Sequence, residues 1–355
     1  MRRGTNVRSL RCRKEARLAH RTVQDIEAAC DFSQSLDFSR SDLEGSELLL
    51  ERKLYPFGFP LEVRTNSSDV LSIFDEMWGQ FQKSFDREPI RVNVLVVETE
   101  FTECPPTPVY RLLKPILTGI ADKDNYLLAD LPVSRTKLVL SHAALRDPLY
   151  AKTYFIESAV TVHLATRYAV PVHAGFVALQ GKGVLLCGDS GAGKSSLSYA
   201  CARAGWTYVT DNRAFLANDG DSLVMSGNCY RVRFRPAAAE LFPELDGMRT
   251  TSRAPGKSSI DLQTASMRDI VRTQTEEAHF MVFLNRFSGG PQELVPYRKD
   301  VARSFMQQEL FGTEETLAGQ YRIMERLLAL DVLELRYTNL DWAIDRLRKL
   351  VEEGR

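Results

Sequence analysis

The spacing of apolar residues changes along the chain, and each spacing predicts an element. Met1 to Leu50 shows no apolar period, and a globular pattern starts at Leu54. LYPFGFPLEVRTN predicts a short strand interrupted by Pro60. In SSDVLSIFDEMWGQFQKSF, residues Leu71, Phe74, Trp78 and Phe81 share one helical face, with Ser67 or Ser68 placed to cap the helix. IRVNVLVVET predicts a buried strand, NYLLADL and TKLVLS shorter ones, and Asp147-Pro148 opens a helix through YFIESAVTVHLATRYA.

The second half alternates strands and helices. VPVHAGFVAL and GVLLCG predict two strands joined by a turn at Gln180-Gly181-Lys182-Gly183. KSSLSYACARAG follows as a helix and WTYVTD as a strand, and FLA and LVM flank NDGDS as a hairpin. The basic strand CYRVRFR leads into a short helix, PAAAELFPEL. AHFMVFLNRF predicts a central strand, Arg298 to Leu328 two helices, and VLELRYTNL and DWAIDRLRKLVEEG a last strand and helix. Three regions result: a polar, poorly ordered segment over 1–50, an α+β region of unassigned role over 51–168, and an α/β domain over 169–355.

Charge and composition narrow the classes. Lys+Arg and Asp+Glu are 46 each in 355 residues, so the net charge is zero, and 44% hydrophobic residues suffice for a sizeable core. That balance argues against a nucleic-acid or membrane-surface binder. No run approaches the roughly 18 apolar residues of a membrane helix. The Arg-rich start lacks the apolar region of a secretory signal, and reads as a disordered tail rather than a mitochondrial-type presequence. Cys12, Cys30, Cys104, Cys187, Cys201 and Cys229 are scattered without metal-ligand or disulfide spacing, as expected of reduced thiols in a cytoplasmic protein.

The chemistry concentrates in GDSGAGKS, residues 188–195. Gly188, Gly193, Lys194 and Ser195 satisfy the phosphate-cradle pattern G-x-x-x-x-G-K-[ST], with Asp189, Ser190, Gly191 and Ala192 between them and Ser196 after. Glycines let backbone N–H groups approach phosphate oxygens, Lys194 reaches the terminal phosphates, and the Ser195 hydroxyl ligates Mg2+. Apolar VLLC before the loop and a good helix after it supply the required context. Asp211 closes the next strand sixteen residues after Ser195, near enough for one compact crossover and placed to hold the metal. His173 lies fifteen residues before Gly188 on the preceding strand; a lone histidine there is either a core residue or a site residue.

The segment HAGFVALQGKGVLLCGDSGAGKSSLSYACARAGWTYVTD resembles the catalytic core of HPr kinase/phosphorylase and its serine-kinase relatives, closely over residues 171–213. The resemblance implies a mixed-sheet P-loop fold similar to that of phosphoenolpyruvate carboxykinase, with ATP and Mg2+ as cofactors. It places His173 on the family's active-site histidine, Lys194 on the phosphate-binding lysine, Ser195 on the Mg2+ ligand and Asp211 on the first acid of an aspartate pair. The second acid, the family's general base, is here Asn212, whose amide cannot take a proton at usable pKa. Ser196 also replaces the acid common after GKS in true HPr kinases, and the later glycine-rich signature with its glutamate has no counterpart. Both departures argue against a role on HPr itself.

The leading expectation is therefore an ATP-dependent serine kinase acting on a hydroxyl of a protein or peptide. The alternative is a catalytically impaired nucleotide-binding regulator, with a vestigial-loop structural protein third. Arg231, Arg233 and Arg235, alternating along CYRVRFR, are placed to neutralise phosphates or grip an acidic peptide, or form a solvated strand face; Arg213 and Lys257 are similar candidates. Related kinases are often oligomers, which makes a homo-oligomer a possible state.

Overall fold

The computed structural model describes residues 48–354 except 101, 114, 253–257, 268 and 287–289. The tail expected over 1–50 falls almost wholly outside these residues, as does Lys257. The described chain is mixed α/β and forms two compact units, the first holding 60–79 and 88–163 with the residues up to Leu54, the second 55–59, 80–87 and 164–355.

The first unit is built on a seven-stranded mixed sheet. Its strands are β1 (Leu50–Leu54), β2 (Leu61–Thr65), β3 (Ile90–Val97), β4 (Val109–Leu113), β5 (Ile116–Asp122), β6 (Asn125–Asp130) and β7 (Arg135–Ser141), in the order β1-β2-β3-β7-β6-β5-β4. Strand β3 alternates buried and half-buried residues along its whole length, the period-2 signature of one covered face. Helix α1 (Ser68–Trp78) packs on β1 and β2 through Val70, Ile73, Phe74 and Trp78. It stops before the predicted Phe81, because the chain from Gly79 leaves the helix. Further helices are α2 (His142–Arg146) and α3 (Glu157–His163), and the helical run through α3 opens with a single turn at Pro148–Tyr150. The helical run around α3 includes wider π turns at Ala151–Ile156 and Leu164–Tyr168.

The second unit carries the cradle. Nine strands form its main sheet: β8 (Ala169–Val172), β9 (Ala174–Leu179), β10 (Lys182–Cys187), β11 (Thr207–Thr210), β12 (Ala214–Ala217), β13 (Val224–Gly227), β17 (Thr275–Arg286), β18 (Glu293–Pro296) and β19 (Asp331–Tyr337). A small sheet of β14 (Arg231–Phe234), β15 (Thr250–Ser252) and β16 (Ser258–Gln263) stands apart from it. Strand β10 pairs antiparallel with β9 and parallel with β17, and β17 pairs parallel with β19. The β9–β10 hairpin closes through Gln180 and Gly181 at φ 51° and 74°, the two left-handed residues of a twist-matched tight turn.

Alternation along β10 explains the layers. Val184 and Leu186 face one core, with α4 (Lys194–Arg203) and α7 (Leu340–Glu353) packed over it through Leu197, Cys201, Leu347 and Val351. Leu185 and Cys187 face the other, covered by α5 (Lys299–Gln307) and α6 (Glu314–Leu328) through Ala302, Met306, Met324 and Leu327. The strand is thus buried on both faces, which is why VLLC has no polar member.

Three predicted elements differ in detail. VPVHAGFVAL is two strands, broken at His173, because β8 pairs with β12 while β9 turns to β10 and β11. PAAAELFPEL forms two short 3-10 turns, each started by a proline whose fixed φ suits a first turn. Before Pro60 the chain makes a 3-10 turn at Pro56–Gly58, with Phe57 and Gly58 both left-handed, and β2 resumes after the proline. Segments 55–59 and 80–87 belong to the second unit, where the Phe57 ring sits 4.6 Å from Phe215 and its carbonyl accepts from Ser226 Oγ at 2.7 Å.

The two-sided burial of β10 carries a stability prediction. Leu186→Ala should destabilise the second unit by about 2–5 kcal/mol, read from the midpoint of denaturant unfolding, since a fully buried leucine leaves a cavity that rigid neighbours cannot fill.

Candidate active site

The cradle lies where β10 ends and α4 begins. Gly188, Gly191 and Gly193 all have positive φ, so the loop needs backbone conformations that side chains disfavour. Gly193 is constrained twice: at φ 100°, a Cβ there would also lie 2.8 Å from Tyr337 Oη. The turn is closed by the Ala192 N–H donating to the Asp189 carbonyl at 3.1 Å. The first helical bond runs from the Leu197 N–H to the Gly193 carbonyl at 2.8 Å, so by helix geometry the N–H groups of Lys194, Ser195 and Ser196 have no acceptor within α4. They form the positive end of the helix dipole.

Lys194 is buried, and its ammonium donates to the carbonyls of Gly188 at 2.6 Å and Asp189 at 3.0 Å. Burial pulls its pKa below the usual lysine value, opposed by the charges of Asp189, Asp211 and Glu309 and by the nearby Cys187. Cys187 itself, sealed in the sheet, is pushed up to about 12 and is an inert thiol.

Asp211 follows β11 directly and is buried. Its carboxylate accepts from Tyr208 Oη at 3.2 Å, from the Arg233 N–H at 3.1 Å and from the Ser195 hydroxyl. Burial raises its pKa, and those three donors work against the rise. The adjoining Ser195 hydroxyl and Asp211 carboxylate are hard oxygen donors at the mouth of the helix, a pair that fits Mg2+ directly or through water. Among the described residues no group of three or more His, Cys, Asp or Glu side chains is gathered as a metal cluster. A metal held by one carboxylate, a hydroxyl and phosphate oxygens would not need one.

Asn212, the next residue, is exposed, and its side chain hydrogen-bonds His173. Burial is the main cause holding the His173 imidazole below its usual pKa, with Lys194 second and Arg213 adding to it, while Glu309 and Asn212 raise it. His173 is therefore neutral at physiological pH. Its place at the β8–β9 break brings it toward the cradle, so His173, Lys194, Ser195, Asp211 and Asn212 form one neighbourhood. Asp189 and Ser190 are exposed at the tip of the loop, and Ser196 is half-buried in the first turn of α4.

The arginine triplet divides. Arg233 is held in a two-pronged pair with Asp261 at 2.5 and 3.1 Å, and Arg231 lies 3.7 Å from the same carboxylate. Those two are committed to the small sheet. Arg235, past the strand end, instead donates to Ser190 Oγ at 3.0 Å and so touches the cradle. Arg213 pairs with Glu309 at 3.7 Å.

Two site residues escaped the sequence reading. Tyr337 ends β19, and its buried hydroxyl, where it abuts Gly193, has no hydrogen-bond partner among the described residues. Parallel pairing of β10, β17 and β19 brings their ends together, so a strand-end residue of VLELRY was a legible candidate once that pairing was assumed. Glu309 lies in a turn after α5 with no local signal at all.

Tyr337→Phe should leave stability within about 1 kcal/mol of wild type or raise it, by thermal or denaturant unfolding, because it removes a buried hydroxyl that bonds nothing among the described residues. A second expectation follows from His173. Its folded-state pKa is depressed, so the stability it contributes is complete above pH 6.5 and is lost as pH falls through the lowered value. Stability measured from pH 7.5 to 5 should fall less steeply in His173→Gln than in wild type.

No family model matches the chain, and a search of curated proteins finds no match. Among solved structures, the HPr(Ser) kinase/phosphatase from Coxiella burnetii is similar, with 16% sequence identity over 52% of this chain and 99% of that one and a TM-score of 0.29.

Proposed function

We propose that this chain binds Mg-ATP in the loop 188–196 and transfers the γ-phosphoryl group to a hydroxyl, most simply a serine, of a protein or peptide. The observation that carries the reading is the cradle itself: three left-handed glycines between a doubly buried strand and a helix start, with Lys194 turned into the loop and Ser195 paired to a buried acid. A purely structural turn has no use for a buried lysine bonded, among the described residues, to loop carbonyls alone.

Lys194, freed from the Gly188 and Asp189 carbonyls, would neutralise the terminal phosphates, while the N–H groups at the start of α4 bind their oxygens. Ser195 and Asp211 would hold Mg2+, which when bound supplies further neutralisation of phosphate charge. Arg235, which donates to Ser190 in the loop, would reach a phosphate by releasing that hydroxyl. Neutral His173, hydrogen-bonded to Asn212, would orient the acceptor. Most of the catalysis in phosphoryl transfer comes from such positioning and electrostatics.

A second reading is favoured by Asn212: a nucleotide-binding regulator that keeps the cradle and has lost transfer. Both readings predict that wild type binds Mg-ATP by calorimetry and that Lys194→Ala lowers affinity by at least a hundredfold. Only the kinase reading predicts label passing from γ-32P-ATP to protein or peptide fractions. Binding without any turnover would leave the regulator.

A further inference from the structure

Asn212 leaves the site without the acid that would take a proton from the attacking hydroxyl, and another carboxylate, Glu309, pairs with the residue that follows it, Arg213. Glu309 lies about a hundred residues further along the chain, just after α5. Its N–H donates to the Met306 carbonyl at 3.3 Å, which sets it in the turn that ends α5. That turn is anchored on two sides. Met306 is buried in the same core as Cys187, Ala174 and Ala214, the residues flanking the cradle, His173 and Arg213 in sequence. Phe305, one residue earlier, lies nearly parallel to the His173 ring with centroids 6.5 Å apart, and meets Phe283 edge-on at 5.3 Å. The end of α5 is therefore packed against the β8–β9 break and cannot drift from it cheaply.

The Glu309 carboxylate lies 3.7 Å from Arg213 Nη2, next to Asn212 in sequence, with 27% of its side chain exposed. Its charge also acts on His173 and on Lys194. The titratable and charged groups facing it are thus His173 at the strand break, Lys194 at the helix start and Arg213 after β11. Its partial exposure gives an acceptor hydroxyl access to the carboxylate.

We propose that Glu309 is the general base of this site, a role that rests on the phosphoryl-transfer reading. Glu309 takes the hydroxyl proton as the acceptor oxygen bonds to the γ-phosphorus and the bond from that phosphorus to the β–γ bridging oxygen breaks. ADP departs with the bridging electron pair, and Glu309 then returns the proton to solvent. Arg213 steadies the carboxylate without bonding it closely, and Asn212 is left to hold His173. The carboxylate of the expected aspartate pair is thereby supplied from α5 instead of from β11.

The test uses the full chain, with water as the acceptor so that no protein substrate need be known. Mg-ATP hydrolysis and calorimetric Mg-ATP affinity are measured for wild type, Glu309→Gln and Glu309→Gln/Asn212→Asp. The expected result is a loss of about a hundredfold in kcat for Glu309→Gln, with Kd within twofold of wild type, and recovery of at least tenfold in the double variant. Without nucleotide, the NMR titration of His173 should move to lower pH in Glu309→Gln, because a neighbouring negative charge has been removed. An unchanged kcat in Glu309→Gln, an unmoved His173 titration, a Kd weakened tenfold or more, or no recovery in the double variant would each overturn the assignment. These failures are distinct from failure of the underlying reading: wild type that does not bind Mg-ATP, or binds it and turns none over, removes the kinase itself and Glu309's role with it.

Discussion

The burial of β10 on both faces is the constraint from which the rest of the site follows. A strand covered by α4 and α7 on one side and by α5 and α6 on the other has one register and one direction. Its C-terminal end then delivers the loop at a fixed point, between β9 and the parallel β17. The open end of parallel strands is where backbone groups and helix starts are left unpaired, so ligand chemistry collects there. Leu185 and Leu186, which touch no ligand group, are thus as necessary to the cradle as Lys194.

The second determinant is how Asp211 is kept. A buried carboxylate would rather be neutral, and three donors from three elements resist this: Tyr208 from β11, the Arg233 backbone from β14 and Ser195 from α4. The arrangement ties the small sheet to the cradle through Arg233, whose side chain is at the same time locked on Asp261. The basic look of CYRVRFR is therefore mostly internal. One arginine braces an acid, one supports it, and only Arg235 is turned to the loop.

The same economy appears at Gly193. Its missing side chain leaves room for the Tyr337 hydroxyl at the end of β19, so the glycine serves both the left-handed loop and the close approach of a neighbouring strand. Here packing and chemistry ask for one residue for two reasons, which is why the position tolerates nothing larger.

Much of this was legible in the amino-acid order. Local rules identify the GDSGAGKS loop, its strand and helix, the tight turn after Leu179, the hairpin across NDGDS and the closing strand and helix, since each depends on neighbours a few residues away. Asp211 was within reach for the same reason. What only the tertiary structure decided is which distant residues share the space. The break at His173 arises because two different partners compete for one apolar run, and no property of VPVHAGFVAL reveals it. The weakly patterned VYRLL and ILTGIAD became β4 and β5 through pairing with each other and with β6. Segments 55–59 and 80–87 join the second unit through Phe57 and its contacts, against their order in the chain. Glu309 is the sharpest case. Nothing in QQELFG marks a site, and its carboxylate acquires chemical meaning only when burial of Met306 and the packing of Phe305 set it beside Arg213 and His173.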